Sequence, residues 1–394
     1  MSLHRVAAFS AGLLALVLVA AAAPAAASRD SGEPPSTEAP LILQPGTGIP
    51  DQYIVALRPG SARAAVPGDV GRDLGVEPTY EYGAGFVGFA GRLSRGQLTA
   101  LRRNPNVQYI EQDAVVTAET TQTSAPWHLD RIDQRTLPLN SSYTYNATAS
   151  NVRAYIIDTG IQTSHSDFGG RARVLYDAFG GNGQDCHGHG THVAGIVGGS
   201  VTGVAKAVRL YAVRVLNCSG AGTTSGVIAG VNYIANNASY RPAVANMSLG
   251  GGASTSLDSA VSNLISKGVF VSVSAGNSNS SACTASPARV GSAFTVAASD
   301  SADTRAGFSN YGSCVDAYAP GVNVLSTWLN NTRRSLSGTS MSSPVAAGIA
   351  SLRLSSGNSS PSTVTTWLKD NATANVIKSN PSGTPNRLVY KASL

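Results

Sequence analysis

The stretch Ser337-Gly-Thr-Ser-Met-Ser-Ser-Pro344 runs directly into Val345-Ala-Ala-Gly-Ile-Ala-Ser-Leu352. A loop of small residues therefore meets an Ala-rich helix, predicted over 340–355, and Pro344 suits an early helical position because no N–H is needed there. On these residues alone, Ser340 is most simply an N-cap. It could also be a nucleophile, because the helix dipole is positive here and small neighbours leave its hydroxyl exposed. A nucleophile would require a base, a carboxylate and an oxyanion donor from elsewhere in the chain.

The composition indicates folded, compact domains. The chain has 394 residues, of which 42 are Gly and 13% are charged, and its net charge is +6. This length allows two or three domains with sizeable cores. The positive charges are scattered, so we expect no nucleic-acid partner.

Residues 1–27 have the pattern of a signal peptide. A short segment with His4 and Arg5 precedes an apolar run, and Ala25-Ala26-Ala27 offers a cleavage site. The alternative is a membrane anchor, but the small residues at the end of the apolar run favour cleavage and export. No later apolar run could span a bilayer, so we expect no membrane association after cleavage.

The chain changes character near residue 119. Residues 28–50 are predicted to be a linker, and 51–119 a small α+β unit. Its strands are predicted at 53–57, 86–90 and 107–111, with a helix at 94–104 that Ser94 caps. Every Glu lies at or before Glu119, whereas 120–394 has 19 Lys and Arg against 11 Asp. The polar composition of segment 117–126 indicates an exposed stretch that a protease can cut. Together, the change in composition and this segment predict a propeptide followed by a mature domain at 120–394.

Beyond residue 150, apolar runs alternate with helical segments. Strands are predicted at 151–157, 208–216, 243–247, 269–273 and 294–298, and helices at 189–199, 225–236, 256–267 and 340–355. This alternation predicts an α/β fold with a doubly wound, mostly parallel sheet. Sites in such sheets form at the carboxyl ends of the strands.

Asp158 directly follows the apolar run Tyr155-Ile-Ile157 and precedes Thr159-Gly160. A charge beside a buried strand needs a partner. Asp158 could simply cap a turn. An aspartic protease would need two such carboxylates, and the chain has a single Asp-Thr-Gly.

If a histidine activates Ser340, the tract His187-Gly-His-Gly-Thr-His192 is the expected source, because it contains the last histidines of the chain. It could instead bind a metal, since His189 and His192 are three residues apart. A His-Glu-x-x-His zinc protease needs a Glu, and none follows Glu119.

Two loops follow predicted strands. Asn277 could donate its amide to an oxyanion, although a turn Asn is the simpler explanation. The bare glycines of Ser248-Leu-Gly-Gly-Gly252 could let an extended peptide pair as an added strand, or could form only a flexible loop.

Three motifs together resemble the subtilisin-like serine proteases, namely Asp-Thr-Gly at 158–160, His-Gly-Thr-His at 189–192 and Gly-Thr-Ser-Met-Ser-Ser-Pro at 338–344. They follow the order Asp, His, Ser that is typical of that family. Residues 246–252 and 308–312 are similar to the proteinase K branch, and 126–134 to aqualysin-like secreted alkaline proteases. Residues 51–116 resemble the family's inhibitor propeptide. An α/β-hydrolase would need Gly-x-Ser-x-Gly, but position 342 is Ser.

The resemblance implies the chemistry of a secreted, broad-specificity endopeptidase. Ser340 would attack the peptide carbonyl, His189 would accept its proton, and Asp158 would orient the imidazole. Asn277 and the backbone N–H of Ser340 would bind the oxyanion. The enzyme is expected to act on polypeptides as a monomer, with its own propeptide as intramolecular inhibitor and no catalytic cofactor.

The resemblance also implies where the substrate lies. The peptide is expected between two segments, Ser219-Gly220-Ala221-Gly222 and Ser248-Leu249-Gly250. A roomy S1 pocket is expected where small residues form the wall, which predicts apolar or aromatic P1 residues; these wall residues are Gly250, Gly251, Gly252, Ala275 and Gly276.

The cysteines Cys186, Cys218, Cys283 and Cys314 predict two disulfides in an exported protein, and the sequence alone allows three pairings. The resemblance implies Cys186–Cys218 and Cys283–Cys314.

The resemblance further implies structural Ca²⁺ at two places, since oxygen ligands suit this ion. One set comprises the carbonyls of Pro287 and Arg289 with the carboxylate of Asp316. The other comprises Asp130, Asp133, Gln134, Asn140 and Ser142, where Asn140 departs from the expected Ser. The alternative is that these aspartates are simply solvated.

Two other functions compete with an active serine endopeptidase. One is a catalytically inactive domain of the same fold used for binding, against which the intact motifs argue. The other is a metal-dependent hydrolase built on the three histidines. A serine-directed covalent inhibitor separates the three possibilities.

Overall fold

The computed structural model describes residues 38–44, 48–60, 66–114, 120–237, 241–357 and 359–394. The predicted signal peptide and part of the predicted linker lie outside the described residues. The contacts divide the described residues into two compact units: those within 38–43 and 49–113, and those within 44–48 and 114–394. No helix among the described residues is long and apolar enough to cross a bilayer.

The first unit is a small α+β fold, as predicted. Its sheet has the order β1-β5-β2-β4-β3. A capping box at Ser94 and Gln97 starts its longer helix, as the sequence indicated for Ser94. Its elements are β1 (Leu41–Ile42), β2 (Gly48–Leu57), α1 (Asp69–Arg72), β3 (Pro78–Tyr82), β4 (Gly88–Arg92), α2 (Arg95–Arg102) and β5 (Val107–Ala114).

The second unit is built on a 9-stranded sheet with the order β19-β20-β16-β15-β13-β11-β8-β10-β9. Its strands are β6 (Thr120–Thr123), β7 (Ser142–Tyr145), β8 (Arg153–Asp158), β9 (Ala172–Asp177), β10 (Arg209–Arg214), β11 (Ala243–Met247), β12 (Gly251–Gly252), β13 (Phe270–Ser274), β14 (Ala285–Ser286), β15 (Phe294–Ser299), β16 (Ala317–Pro320), β17 (Val324–Trp328), β18 (Thr332–Leu336), β19 (Thr373–Ala374) and β20 (Arg387–Leu388). Its helices are α3 (Trp127–Asp133), α4 (His189–Gly198), α5 (Thr224–Asn237), α6 (Thr255–Ser266), α7 (Thr339–Ser355) and α8 (Pro361–Asn371).

Helices cover both faces of this sheet. Alternate residues of β8 point to opposite faces: Ala154 and Ile156 join the core that contains α4 and α7, whereas Tyr155 and Ile157 join the core that contains α5 and α6. All neighbours in the sheet are parallel except β19 and β20. The predicted doubly wound α/β fold is therefore confirmed.

Helix α7, whose first turn contains Ser340, is buried along most of its length. A Cβ added at Gly348 would lie 2.5 Å from the Cβ of Val204, so the close packing of this helix requires glycine there. Strands β8, β11 and β13 end at Asp158, Met247 and Ser274. The predicted segments 248–252 and 275–277 follow the carboxyl ends of β11 and β13, whereas His189 and Ser340 lie at the starts of α4 and α7.

Candidate active site

Asp158 and His189 form a buried pair. His189 Nδ1 lies 2.7 Å from Asp158 Oδ1, and the Asp158 side chain is 0% exposed while that of His189 is 21% exposed. Asp158 Oδ1 also accepts the N–H of Thr159 at 2.7 Å. The carboxylate therefore fixes the ring through Nδ1 and leaves Nε2 on the other side as the available base.

Opposing effects act on the pKa of His189. Burial lowers this pKa, but the charge of Asp158, the hydrogen bond to it and the charge of Asp185 raise it, and the net direction is upward from 6.5. The two carboxylates thus stabilise the protonated imidazole, the form that a general base adopts after accepting a proton.

Ser340 lies in the first turn of α7. Its Oγ donates to the carbonyl of Ser248 at 3.3 Å, and Ser248 Oγ donates to the carbonyl of Ser340 at 2.7 Å. Among the described residues, Ser340 Oγ makes no hydrogen bond to His189, a contact that often tightens only when substrate binds. The first N–H groups of a helix have no partner within it, so the amide of Ser340 is free to donate.

The Asn277 amide has a fixed orientation. Asn277 Oδ1 accepts both the N–H of Thr339 at 2.8 Å and its hydroxyl at 2.9 Å. Thr339 Oγ1 in turn accepts the N–H of Gly276 at 3.1 Å. Because the oxygen is fully used, the Nδ2 group is left to donate into the cavity that Asn277 and Ser340 both line.

The predicted substrate-binding residues line two adjoining cavities. The first, of about 470 Å³, contains His189, the segment 219–222, Ser248 and Gly252. The second, of about 270 Å³, contains Ala275, Gly276, Asn277 and Ser340. Leu249, Gly250 and Gly251 line both. Of the predicted S1 wall, Gly252 lines the first cavity, Ala275 and Gly276 line the second, and Gly250 and Gly251 line both.

Asp185 is a site residue that the sequence analysis missed. Its Oδ1 accepts the N–H groups of His187 and Gly188 and the hydroxyl of Thr159, each at 2.9 Å. Its Oδ2 accepts the N–H of Thr191 at 2.8 Å and its hydroxyl at 2.6 Å. One carboxylate thus joins the start of α4, which carries His189, to the residue after Asp158. An Asp close before a helix start is a recognised capping signal that could have identified it.

The other two histidines of the tract have separate environments. His192 Nε2 lies 2.9 Å from the carbonyl of Arg334, and burial lowers the pKa of His192 to about 4. The rings of His187 and His189 are 6.4 Å apart. These contacts favour His189 as the base over a shared metal site.

The structure contains the two disulfides that the resemblance implied. Cys186 is bonded to Cys218 and Cys283 to Cys314. The first lies beside the start of α4 and therefore links the loop before His189 to the loop that holds the segment 219–222.

One of the two predicted calcium sites fits a cation. Asp133 Oδ1 is buried without a hydrogen-bond partner, and a cavity of about 360 Å³ is lined by residues that include Asp133, Gln134, Asn140 and Ser142. A buried, unpaired carboxylate oxygen is costly, and a bound cation would compensate for it. Asp130 is not among the lining residues, because its oxygens accept the N–H groups of Asn140 at 3.3 Å and Ser141 at 2.6 Å.

The other predicted site does not fit a cation in this structure. Asp316 Oδ1 lies 2.6 Å from Lys369 Nζ, and its Oδ2 accepts the N–H of Thr295 at 2.8 Å. The Arg289 side chain pairs with Asp258 at 2.6 Å, and the carbonyl of Pro287 accepts the N–H of Val290 at 3.0 Å. The charge that Ca²⁺ would supply is already provided by Lys369.

A histidine paired with a buried aspartate, a serine in the first turn of a helix and an asparagine amide of fixed orientation together define a serine peptidase. Its three residues follow the chain order Asp, His, Ser. Comparison with known proteins agrees. The model of the subtilase family matches residues 150–389, and that of the peptidase inhibitor I9 matches residues 52–119. The chain belongs to the subtilase family.

Individual relatives are similar over nearly the whole chain. The chain is 46% identical to an extracellular serine proteinase of Thermus sp. (strain Rt41A), covering 96% of this chain and 97% of that protein. It is 41% identical to proteinase R of Parengyodontium album, covering 96% and 97%. A solved cold-adapted subtilisin-like serine proteinase is 50% identical with a TM-score of 0.67, covering 69% of this chain and 99% of that one. The protein is therefore a secreted serine endopeptidase with an I9-type propeptide.

Proposed function

We propose that the protein cleaves peptide bonds through an acyl-enzyme formed on Ser340. Ser340 Oγ attacks the carbonyl carbon while His189 Nε2 takes the hydroxyl proton, and Asp158 stabilises the resulting imidazolium. His189 then returns the proton to the leaving amine. A water molecule, deprotonated by the same imidazole, hydrolyses the ester and restores Ser340.

The observation that carries this proposal is the 2.7 Å hydrogen bond between Asp158 and His189, beside a cavity that contains Ser340 and the oriented Asn277. The Nδ2 group of Asn277 and the N–H of Ser340 would donate to the oxyanion. In a related enzyme of this family, loss of such a side-chain donor costs about 10²–10³ in turnover. We expect a similar loss for Asn277→Ala.

Active-site titration tests the proposal. A serine-directed covalent inhibitor should label the mature protein with one equivalent at Ser340 and abolish peptide hydrolysis, whereas Ser340→Ala should not be labelled. Inhibition by EDTA without labelling would instead support a metal-dependent hydrolase. Absence of both labelling and hydrolysis would support a binding protein.

We also propose broad specificity with apolar or aromatic P1 residues. Every residue that lines the second cavity is uncharged, and a Cβ at Gly250 or Gly251 would have no neighbour closer than 3.5 Å, so the pocket has room for a large side chain. Peptides that differ only at P1 should be cleaved fastest with Phe, Tyr or Leu. A strict preference for Lys or Arg would contradict this proposal.

The propeptide at 51–119 is proposed to inhibit the catalytic domain until the chain cuts itself within residues 117–123. Strand β6 (Thr120–Thr123) pairs with β7, and Gln122 Nε2 donates to the carbonyl of Val201 at 3.0 Å. These contacts favour a cut before Thr120, which leaves β6 on the mature domain. Ser340→Ala should accumulate as an uncut precursor, and N-terminal sequencing of the wild type should begin at or near Thr120. Maturation of Ser340→Ala expressed alone would contradict self-processing.

We propose that Ca²⁺ binds at Asp133, with Gln134, Asn140 and Ser142 as further oxygen ligands. The unpaired Oδ1 of Asp133 supports this assignment. The ion would stabilise the loop between α3 and β7 and take no part in the chemistry.

A further inference from the structure

A cluster of arginines lies at the end of the central sheet that is opposite to the candidate active site. It lines a cavity of about 350 Å³, whose lining residues are Gly170, Arg171, Arg173, Arg209 and Tyr211. Three of these five residues carry a fixed positive charge, and none is acidic. Because like charges repel each other when they are brought together, such a lining attracts an anion.

The strand register brings these residues to one face of the sheet. Arg209, the first residue of β10, lies opposite Arg153 of β8. Tyr211 lies opposite Arg173 of β9. Residues two apart on a strand point to the same face, as do register partners on parallel strands, so Arg209, Tyr211 and Arg173 share a face at the edge of the sheet. The guanidinium carbon of Arg153 lies 5.3 Å from the centroid of the Tyr211 ring, which places a fourth cation nearby.

The guanidinium of Arg171 is held in place by neutral oxygens. Its Nη1 donates to the carbonyls of Gly198 at 2.6 Å and Val208 at 3.0 Å. Its Nη2 donates to the carbonyl of Asp167 at 3.1 Å and to Oγ of Ser200 at 3.2 Å. These contacts fix the group without cancelling its charge.

The other two arginines of the lining have no compensating charge. Arg173 and Arg209 are exposed, and neither side chain has an ion-pair or hydrogen-bond partner in the part of the chain that the structure describes. The carboxylate of Asp167 interacts with the charge of Arg171. That carboxylate, however, pairs with Arg333 at 3.6 Å and does not line the cavity.

We propose that this cavity binds a phosphate or sulfate group. The planar N–H donors of a guanidinium match two oxygens of such a group at once. Three positive charges also favour a group with two negative charges over a single carboxylate. A free ion and a polymer that carries such groups share this chemistry.

The position of the cavity separates it from catalysis. Along β10, Arg209 lies at the start and Arg214, the register partner of Asp158, at the end. Five steps along a strand span about 16 Å, so an occupied cavity leaves the substrate cleft open. A polymer that bears phosphate or sulfate groups would therefore retain the secreted enzyme without blocking its site, and the binding itself does not depend on the proposed mechanism.

Thermal unfolding tests the free ion. Mature protein inactivated by a covalent inhibitor at Ser340 would be melted in chloride and in millimolar sulfate at equal ionic strength. Ligand binding to the native state raises the melting temperature, so the wild type should show a saturable rise with sulfate. Arg173→Gln and Arg209→Gln should lose most of this rise. The control Arg387→Gln makes the same charge change on β20, near the opposite edge of the sheet, and should keep it.

The general stabilising effect of sulfate does not distinguish these variants, because it acts by exclusion from the whole protein surface. If Ser340 is not labelled, the endopeptidase proposal fails, but the melting experiment can be done on the unlabelled protein.

Binding to dextran sulfate tests a group carried by a polymer, with carboxymethyl dextran as the matched carboxylate polymer. Arg173→Gln and Arg209→Gln should bind dextran sulfate about tenfold more weakly than Arg387→Gln, because each loses a charge-assisted hydrogen bond. The three variants have the same net charge and should bind carboxymethyl dextran alike. A response to free sulfate alone would assign the cavity to the free ion, and weaker binding of the two variants to dextran sulfate would extend it to polymers. Equal behaviour of all three variants in both measurements would overturn the proposal.

Discussion

At the scale of single residues, the pKa of His189 combines several contacts into one measurable quantity. Burial opposes protonation, while Asp158 and Asp185 favour it more strongly. The general base must be neutral before it can accept the proton of Ser340. Activity therefore decreases progressively as the pH falls below the folded-state pKa of His189, and it rises as the pH rises through this pKa.

The first prediction is an acidic limit of kcat/KM above pH 6.5. Below this limit, kcat/KM should fall about tenfold per pH unit because only the neutral imidazole reacts. Asp158→Asn should move the limit to lower pH, since it removes the charge and changes the hydrogen bond that raise the pKa, and should greatly reduce kcat. The measurement is a pH–rate profile with one peptide substrate that carries no titratable side chain. A wild-type limit well below 6.5 would contradict the prediction.

Single residues also show what sequence can and cannot predict. Ser340 and Asn277 each had an ordinary local explanation, as an N-cap and a turn residue. Their assignment came from motifs far apart in the chain. The sequence analysis missed Asp185 because three of its five hydrogen bonds come from Thr159 and Thr191, and a count of charged residues gives no sign of such contacts between separate segments.

At the scale of elements, the start of α4 decides how His189 is presented. Gly188, with φ of 106°, precedes the helix, and a Cβ there would lie within 2.5 Å of the Trp328 ring. The hairpin β17–β18 supports the same turn, because Thr327 Oγ1 and Ser326 Oγ donate to the carbonyls of Thr191 and His192 at 2.7 Å. Asp185 holds this turn against the end of β8.

The second prediction is that Asp185→Asn changes both stability and the pH profile. An amide cannot accept at both positions, so at least one buried donor loses its partner, which costs about 1–3 kcal/mol of unfolding free energy. Loss of the negative charge should also move the acidic limit of kcat/KM to lower pH, and kcat should fall more than KM rises. Thermal unfolding and a pH–rate profile measure the two effects.

The control for this prediction is Asp258→Asn. Asp258 lies on α6 and pairs with Arg289. It makes no hydrogen bond to α4 in the part of the chain that the structure describes, so its variant should lower stability without moving the acidic limit of kcat/KM. If Asp185→Asn likewise leaves the acidic limit of kcat/KM unchanged, Asp185 stabilises the start of α4 and does not affect the pKa of His189.

The strands and helices of the core were predictable because their periodicity is local. The predicted strand 243–247 coincides with β11, and the strands before and after it agree within a few residues. The edge strand β9, the hairpin β17–β18 and helix α8 were not predicted. Their sequences are polar or mixed, and they gain their stability from neighbours, so the hydrophobic pattern alone gives a weak signal.

At the scale of the whole molecule, the two calcium hypotheses lead to different stability behaviour, although one resemblance implied both. Asp133 keeps an unpaired oxygen, whereas both oxygens of Asp316 have partners. The sequence could not separate them, because Lys369 reaches Asp316 from α8, far along the chain.

The third prediction is therefore a calcium-dependent melting temperature that depends on Asp133. At free Ca²⁺ 100-fold above Kd, binding adds about 2.7 kcal/mol, which corresponds to a rise of several degrees in a domain of this size. EDTA should remove this increment from the inhibited wild type, and Asp133→Asn should lack it. Asp316→Asn should lower the melting temperature by the same amount with and without Ca²⁺, because it breaks an ion pair and not a metal site. An EDTA effect that survives in Asp133→Asn and disappears in Asp316→Asn would reverse the assignment, and calcium would then have to displace Lys369.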